Sequence, residues 1–424
     1  MLRTQRDALV AATYAHSVVI SLTWCGMADS APGSDTARHQ VSETQLTPPL
    51  IDVDGPWLVC HRCGRTSTPD ATHWRCVCGG LLDLAPRPVA LDPAAFRGRP
   101  PTLWRYAEAL LVNLNEPRLA ALSMGEGFTP LVAERIGSFD IAMKVEFVSP
   151  TLSFKDRGAV VLVAHALQLG VNHVVADSSG NAGTAISAYA ARAGIRCTVF
   201  VPEATSPNKL AQMTAHGADV TVVPGSREDA AAAAIEAVES SGAFYASHVY
   251  NPFFTEGIKT YGYEICEQLS WTAPDTLVIP VGNGTMLLGA HLAFMELKAA
   301  GIIDRTPRII AVQAAACAPI AEAFSTGTQS IVPVRNTGTL AEGIAIAEPA
   351  RGTQLLEIVR GNGGVFVTVD DDEILKAQWL LARRGWYVEH TAAVPLAGAL
   401  KAHASGTELG RSVLPLSGAG LKSA

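Results

Sequence analysis

The stretch Ser149-Pro150-Thr151-Leu152-Ser153-Phe154-Lys155-Asp156-Arg157-Gly158 decides how the rest of the chain is read. A turn rich in proline, serine and threonine leads into a lysine, and a long apolar helix is expected over about 159–169. Helix N-termini carry partial positive charge, so a cation there is electrostatically out of place. One explanation is an exposed lysine on a first helical turn. The other is a lysine that meets an anionic partner, and only the surrounding chain can supply one.

Toward the C-terminus, short apolar runs at 173–177, 197–201, 219–223 and 244–247 alternate with helical patterns, among them the alanine-rich 227–239. Runs at 276–281 and 308–312 restart the alternation. This β-α order implies largely parallel sheets covered by helices, in two α/β domains. Toward the N-terminus, 141–147 alternates as a strand. Gly125-Glu126-Gly127-Phe128-Thr129-Pro130-Leu131 is a loop entering the main fold, 102–122 reads as helix, and 86–101 as a proline-rich linker.

With 424 residues, two or three domains are expected. Hydrophobic residues make up 48% and charged residues 17%, as in a well-buried globular enzyme. The net charge of −7 leaves no electrostatic footprint for nucleic acid. In the first fifty residues, Arg3 and Arg6 precede an apolar run over 8–24, the outline of a secretory signal. Tyr14, His16, Ser17 and Ser21 interrupt that run, and a polar stretch follows. Residues 1–54 are therefore expected as a disordered leader or an over-long reading frame with Met27 as the start. No other segment is long and apolar enough to argue for a membrane span. Four of the eight cysteines are scattered, which fits buried thiols in a reducing cytoplasm.

The other four cysteines fall within 55–85 as Cys60, Cys63, Cys76 and Cys78, with a glycine after each pair. Each pair can form a tight knuckle, and four thiolates make a closed tetrahedral zinc site. The second pair is tight, so His61 or His73 could replace one thiolate; a knuckle without metal is the alternative. A filled shell makes such a metal structural.

In open parallel sheets ligands sit beyond the carboxyl ends of strands. Three loops lie there: 178–183, 282–285 and 417–420. In Gly282-Asn283-Gly284-Thr285 the glycines let backbone N–H groups close on an anion at a helix start. The Walker lysine is missing, so a monophosphate suits the loop better than a nucleoside triphosphate. Asn181 reads either as an ordinary helix cap or as an amide bonding a ring hydroxyl or a carboxylate. Ser417 reads as a turn former or as a hydroxyl meeting a ring nitrogen. A phosphate cradle, an amine, a ring-oxygen donor and a ring-nitrogen partner together match the needs of pyridoxal phosphate, with Lys155 as its Schiff-base lysine.

From about residue 57 to 422 the chain resembles the fold-type II pyridoxal-phosphate enzymes, most closely the threonine synthases. The stretch around Lys155 is similar to that family's asparagine-proline-threonine-glycine-serine-phenylalanine-lysine-aspartate-arginine-glycine segment, with Leu152 where the family has glycine. Ser179-Gly180-Asn181-Ala182-Gly183, Gly282-Asn283-Gly284-Thr285, Ser417-Gly418-Ala419-Gly420-Leu421-Lys422 and the cysteine knuckle each resemble family counterparts. The resemblance implies a tryptophan-synthase-β-like fold. A large domain would span 86–157 and 263–424, and a small one 158–262. Lys155 would carry the cofactor, Asn181 the ring hydroxyl, Gly282 to Thr285 its phosphate and Ser417 the pyridine nitrogen. Ser179, Gly180 and Asn181 would hold the substrate carboxylate. A cytoplasmic homodimer acting on an amino acid is implied, with no nucleic-acid or membrane partner.

The implied reaction is elimination or replacement at the β or γ carbon, as in conversion of O-phosphohomoserine to threonine. In Asn251-Pro252-Phe253-Phe254-Thr255-Glu256-Gly257, Phe254 stands where the family has arginine. The family's arginine in the helix after the third small-domain strand is also missing; the segment reads Arg227-Glu228-Asp229-Ala230. A phosphorylated substrate would lose charge-assisted contacts there. Gly338-Thr339-Leu340-Ala341-Glu342-Gly343-Ile344-Ala345 resembles threonine and serine dehydratases. A dehydratase, a cysteate-synthase-like β-replacement on O-phosphoserine and an idle cofactor-binding relative are the alternatives.

Overall fold

The computed structural model describes residues 58–113, 116–137 and 139–422. The expected leader over 1–54 lies outside the described residues, as do the first three residues of the knuckle segment. Strands β1 (Leu58–Cys60), β2 (Thr66–Ser67) and β3 (Leu82–Leu84) form a small antiparallel sheet ordered β2-β1-β3. Gly64 and Gly79, one after each cysteine pair, take φ of +69° and +80°, where a Cβ would be strained. Their N–H groups donate back to the Cys60 and Cys76 carbonyls at 2.9 and 2.7 Å. The buried Arg351 guanidinium ties the knuckle down by donating to Asp83 at 2.6 Å and to the Leu82 and Val249 carbonyls. Trp74 packs edge-on against Tyr245 and Tyr250, 5.0 Å from each.

The helix expected over 102–122 is broken into a 3-10 stretch, Leu103–Ala109, and a single turn, α1 (Leu119–Leu122). Tyr106 leaves helical geometry, at φ −104° and ψ 27°. Pro117 removes a donor and disfavours helix in the residue before it.

The main fold follows as β4 (Leu131–Ile136), β5 (Phe139–Lys144), α2 (Lys155–Gln168), β6 (His173–Ala176), α3 (Asn181–Ala193), β7 (Arg196–Pro202), α4 (Pro207–Ala215), β8 (Asp219–Val223), α5 (Arg227–Ser241) and β9 (Phe244–Tyr245). It continues through α6 (Pro252–Ile258), α7 (Thr260–Gln268), β10 (Thr276–Pro280), α8 (Thr285–Ala299), β11 (Arg308–Ala314), α9 (Pro319–Thr326), α10 (Gly352–Gly361), β12 (Val365–Val369), α11 (Asp371–Ala382), α12 (His390–Ala404) and β13 (Ser412–Pro415). Two sheets result. One is ordered β8-β7-β6-β9 and is wholly parallel. The other is ordered β12-β11-β10-β13-β5-β4 and is parallel except for β4. Strand order reverses beside β6 in the first sheet and beside β10 in the second. Crevices open at such switch points, beyond the strands' carboxyl ends.

Helix α2 is buried from Asp156 through Leu167, which is why its sequence is apolar all round. Its start is fixed by polar contacts. Asp156 accepts hydrogen bonds from the Thr151 N–H at 2.7 Å and hydroxyl at 2.5 Å. Arg157 donates to Glu146 at 2.7 and 2.8 Å, to Glu264 at 2.6 Å through two nitrogens, and to the Thr260 hydroxyl at 3.0 Å. Lys144 completes the cluster, donating to Glu264 at 2.8 Å and to the Thr129 carbonyl at 2.6 Å. All four charged side chains are fully buried, and their formal charges cancel. Burial alone would raise the Glu264 carboxyl, but Arg157 and Lys144 hold it down at about 2.

Leu152, in the turn before α2, has φ of +63° and is partly exposed. A left-handed conformation costs an L-residue about 1–2 kcal/mol, and glycine's entropy in the unfolded chain offsets part of any gain. Leu152→Gly is therefore expected to leave the protein as stable or more stable, by up to about 1 kcal/mol, read as an unchanged or raised thermal midpoint.

Candidate active site

A cavity of about 420 Å³ lies where the loops after β6, β10 and β13 converge. Its wall takes in Lys155, the segment Ser178 to Ala182, the segment Gly282 to Met286, and Ser417. Every residue singled out in the sequence for cofactor or substrate thus lines one space. The four cysteines are not among its lining residues; Cys60 ends β1, and Cys63, Cys76 and Cys78 lie in the connections between the strands of the small antiparallel sheet.

Lys155 is the first residue of α2, and its Nζ donates to Thr285 Oγ1 at 3.2 Å. The amine lies 4.6 Å from the Phe154 ring centre and 5.5 Å from that of Phe254. Removal from water, reinforced by Arg227 and opposed by Glu389, lowers it to about 7. A large neutral fraction near neutral pH makes it a competent nucleophile and base.

Asn181 is the first residue of α3 rather than its cap, because Gly180 occupies that position. Its amide nitrogen donates to both Glu389 oxygens at 3.1 Å. Its buried carbonyl oxygen has no partner. Gly284 has φ of +74°, and a Cβ there would sit 2.3 Å from Leu355. A Cβ on Gly282 would sit 2.9 Å from the Ile344 backbone. Thr285 then starts the fifteen-residue α8, so a helix N-terminus faces the cavity. Ser417 is buried and its hydroxyl has no partner. Its carbonyl accepts the Phe154 N–H at 3.0 Å, which couples the last loop to the start of α2.

Sequence reading passed over three groups that the fold brings here. Glu389, the N-cap of α12, is buried and its carboxyl is raised by that burial, against the pull of Asn181 and Lys422. An acid at a helix start is an ordinary dipole partner, so nothing flagged it. His248 is buried in the wall with Nδ1 unpaired. Lys209 of α4 pairs with Glu342 at 2.6 Å across the cavity's solvent side, where Glu342 is 73% exposed. Phe254, in contrast, is not part of the cavity wall but packs just behind it, its ring 5.5 Å from the Lys155 amine and 5.9 Å from the His248 ring. It is fully buried, and its ring occupies the space that a Cβ on Gly158 would need.

A lysine of depressed basicity, glycine loops beyond parallel strands and unpaired buried hydroxyl and amide groups define an α/β enzyme built to hold a small anionic ring. A family model described as pyridoxal-phosphate dependent enzyme matches residues 122–418. A threonine synthase of Methanocaldococcus jannaschii is 37% identical over 81% of this chain and 86% of its own length. One from Methanosarcina acetivorans is 37% identical over 81% and 86%, and one from Mycobacterium leprae 36% over 73% and 81%. Among solved structures, a threonine deaminase from T.th. superposes with a TM-score of 0.59 at 26% identity, covering 69% of this chain and 92% of that one. An aspartate racemase with a TM-score of 0.61 and 22% identity, covering 73% of this chain and 96% of that one, shares the fold.

The chain belongs to the pyridoxal-phosphate dependent enzymes, and within them it is a lyase of the threonine synthase type. The cavity fits the cofactor. The unpaired Ser417 hydroxyl and Asn181 carbonyl are buried polar atoms in need of partners. Gly282 and Gly284 stand where side chains would clash. Among the described residues, no helix is long and apolar enough to cross a membrane.

Proposed function

We propose that the enzyme converts O-phosphohomoserine and water to threonine and inorganic phosphate. The similarity to threonine synthases over four-fifths of the chain carries this reading. Lys155 is the amine that would hold pyridoxal phosphate. The Gly282 to Thr285 loop would take its phosphate, Asn181 its ring hydroxyl and Ser417 its ring nitrogen. When bound, the cofactor supplies an electron sink for charge at the substrate α carbon. The Lys155 amine, its basicity lowered by burial, would remove and return protons at the substrate carbons. The Ser417 hydroxyl is neutral and does not force a proton onto the ring nitrogen as a carboxylate would. Ser179, Gly180 and Asn181 would hold the substrate carboxylate at the start of α3, and Glu389 fixes the Asn181 amide in orientation.

Purified enzyme with O-phosphohomoserine, O-phosphoserine, threonine and serine is the test, following phosphate, ammonia and keto acid. Phosphate and threonine from the first compound are expected. Ammonia and keto acid from threonine or serine, with the first compound untouched, would replace this reading by the dehydratase one. That reading draws on the threonine deaminase similarity and on the Gly338 to Ala345 segment, part of which lines the cavity.

We further propose a structural zinc at the knuckle. The four cysteine Sγ atoms lie within 4.8 Å of one another, with Cys60 and Cys78 at 3.5 Å and Cys63 and Cys76 at 3.7 Å. Four sulfurs at about 2.3 Å from a tetrahedral ion stand about 3.8 Å apart. Burial opposes ionisation of Cys60, but the Cys63 and Arg62 N–H groups and the neighbouring thiols outweigh it and bring the thiol to about 7. His61 and His73 lie against Asp83 and Asp70 instead. Elemental analysis is expected to give one zinc per chain, and chelation to lower the thermal midpoint. A metal-free protein of the same stability would remove the zinc.

A further inference from the structure

Resting on the reading that Asn181 meets the cofactor's ring hydroxyl, we infer that Glu389 is a positioning residue whose carboxyl, by carrying or losing a proton, decides which end of the Asn181 amide faces that hydroxyl. The Asn181 nitrogen donates to both Glu389 oxygens at 3.1 Å, and the Asn181 carbonyl oxygen is buried with no partner. Among the described residues, that neutral amide is the hydrogen-bond donor to the carboxyl, and no ion pair reaches it. The lysines that face it are engaged elsewhere. Lys155 of α2 donates to Thr285 at 3.2 Å, Lys209 of α4 pairs with Glu342 at 2.6 Å, and Lys422, in the turn Gly420–Lys422, donates to the Thr151 carbonyl at 2.6 Å. His390 follows Glu389 on α12 and lines the cavity. From the loop after β13 comes only Gly418, where a Cβ would sit 2.4 Å from the carboxyl.

Two costs meet at this contact. A buried carboxylate held by one neutral amide is unfavourable, and a proton relieves it. A buried amide oxygen without a donor is unfavourable as well. One proton on Glu389 and a half-turn of the amide remove both. Ionised, Glu389 only accepts, so it holds the Asn181 nitrogen and leaves the carbonyl for the cofactor. That carbonyl also only accepts, and a ring oxygen meeting it must keep its proton. Protonated, Glu389 donates to the Asn181 carbonyl, and the nitrogen turns to the cofactor, where it favours an ionised ring oxygen. Burial raises the Glu389 carboxyl against the opposing pull of Asn181, Lys422, Lys209 and Lys155, which moves the exchange above the ordinary carboxyl range.

The experiment follows the absorbance of the holoenzyme across the pH range in which it stays folded. An ionised ring oxygen gives a visible band and a protonated one a near-ultraviolet band. Parent, Glu389→Gln, Glu389→Ala and Asn181→Ala are compared. In the parent the visible band is expected to give way to the near-ultraviolet band as pH rises, the ratio changing about tenfold per pH unit through the transition, as for one ionising group. Glu389→Gln and Glu389→Ala have nothing to ionise there, and their ratios are expected to stay constant. A merely structural Glu389 would alter cofactor content or thermal midpoint and leave the pH course in place. The parental pH course in Glu389→Gln therefore overturns the inference, as does a parental ratio that is constant or moves the other way. Glu389→Ala decides in the same terms if Glu389→Gln retains no cofactor. Asn181→Ala separates the two levels. Parental bands and pH course in that variant remove Asn181 as the ring-hydroxyl partner, and the inference falls with it. A changed course in Asn181→Ala beside an unchanged one in Glu389→Gln keeps Asn181 and removes Glu389 alone.

Discussion

Lys155→Ala is expected to abolish the visible absorbance of lysine-bound cofactor and to lower turnover by about a thousandfold or more. Among the described residues, its side chain is the amine that reaches the space between the glycine loop and Ser417, where it donates a hydrogen bond to Thr285. The start of α2 does not depend on it, because Asp156 and Arg157 fix that turn. The variant should therefore unfold at nearly the parental temperature, which separates lost chemistry from lost structure. In the parent, the rate at which cofactor-free enzyme captures pyridoxal phosphate should rise with pH through about 7 and then level off, since the neutral amine is the reactive form. A rate still climbing toward pH 10 would mean that burial does not depress this lysine. An unchanged absorbance in Lys155→Ala would place the cofactor on a different amine.

Arg157→Met should have the largest effect on stability, a loss of about 3–5 kcal/mol, because it strands buried charges. Arg157 is hydrogen-bonded to both Glu146 and Glu264, all three without exposure. Lys144 alone cannot neutralise two carboxylates. The pH dependence carries a signature. An unpaired buried carboxyl has its folded-state pKa raised above the unfolded value, so it favours folding at low pH and loses that contribution as pH rises. The deficit of Arg157→Met in urea denaturation should thus shrink between pH 8 and pH 5. A deficit that is constant across this range, or below about 1 kcal/mol, would show the cluster to be less tightly coupled than its geometry.

The lysine stretch was legible because its chemistry is local. A turn, a cation and an apolar run announce the buried α2, and each glycine loop follows its own strand. The parallel alternation was legible for the same reason. The broken helix at 102–122 was not, because its apolar spacing outlasts the Pro117 interruption and because Tyr106 takes its conformation from tertiary packing. Glu389 was hidden by position, since an acid before a helix looks like a cap whatever it faces. Phe254 was legible as a missing cation but not as a packing residue, because only the fold shows its ring buried against Gly158 and 5.5 Å from the Lys155 amine.

The Lys209–Glu342 pair has a consequence for traffic through the cavity. It joins α4 to the turn Glu342–Ile344 on the solvent side, yet one partner is largely in water. Such pairs contribute about 0–1 kcal/mol, a factor of at most about five in population, and lose part of that at high salt. Exposed side chains change rotamer far faster than an enzyme turns over, so diffusion of an amino acid in or out will not wait for a bond this weak. An anionic reactant passing between the two charges would also compete with Glu342 for Lys209, and so loosen the entrance by its own arrival.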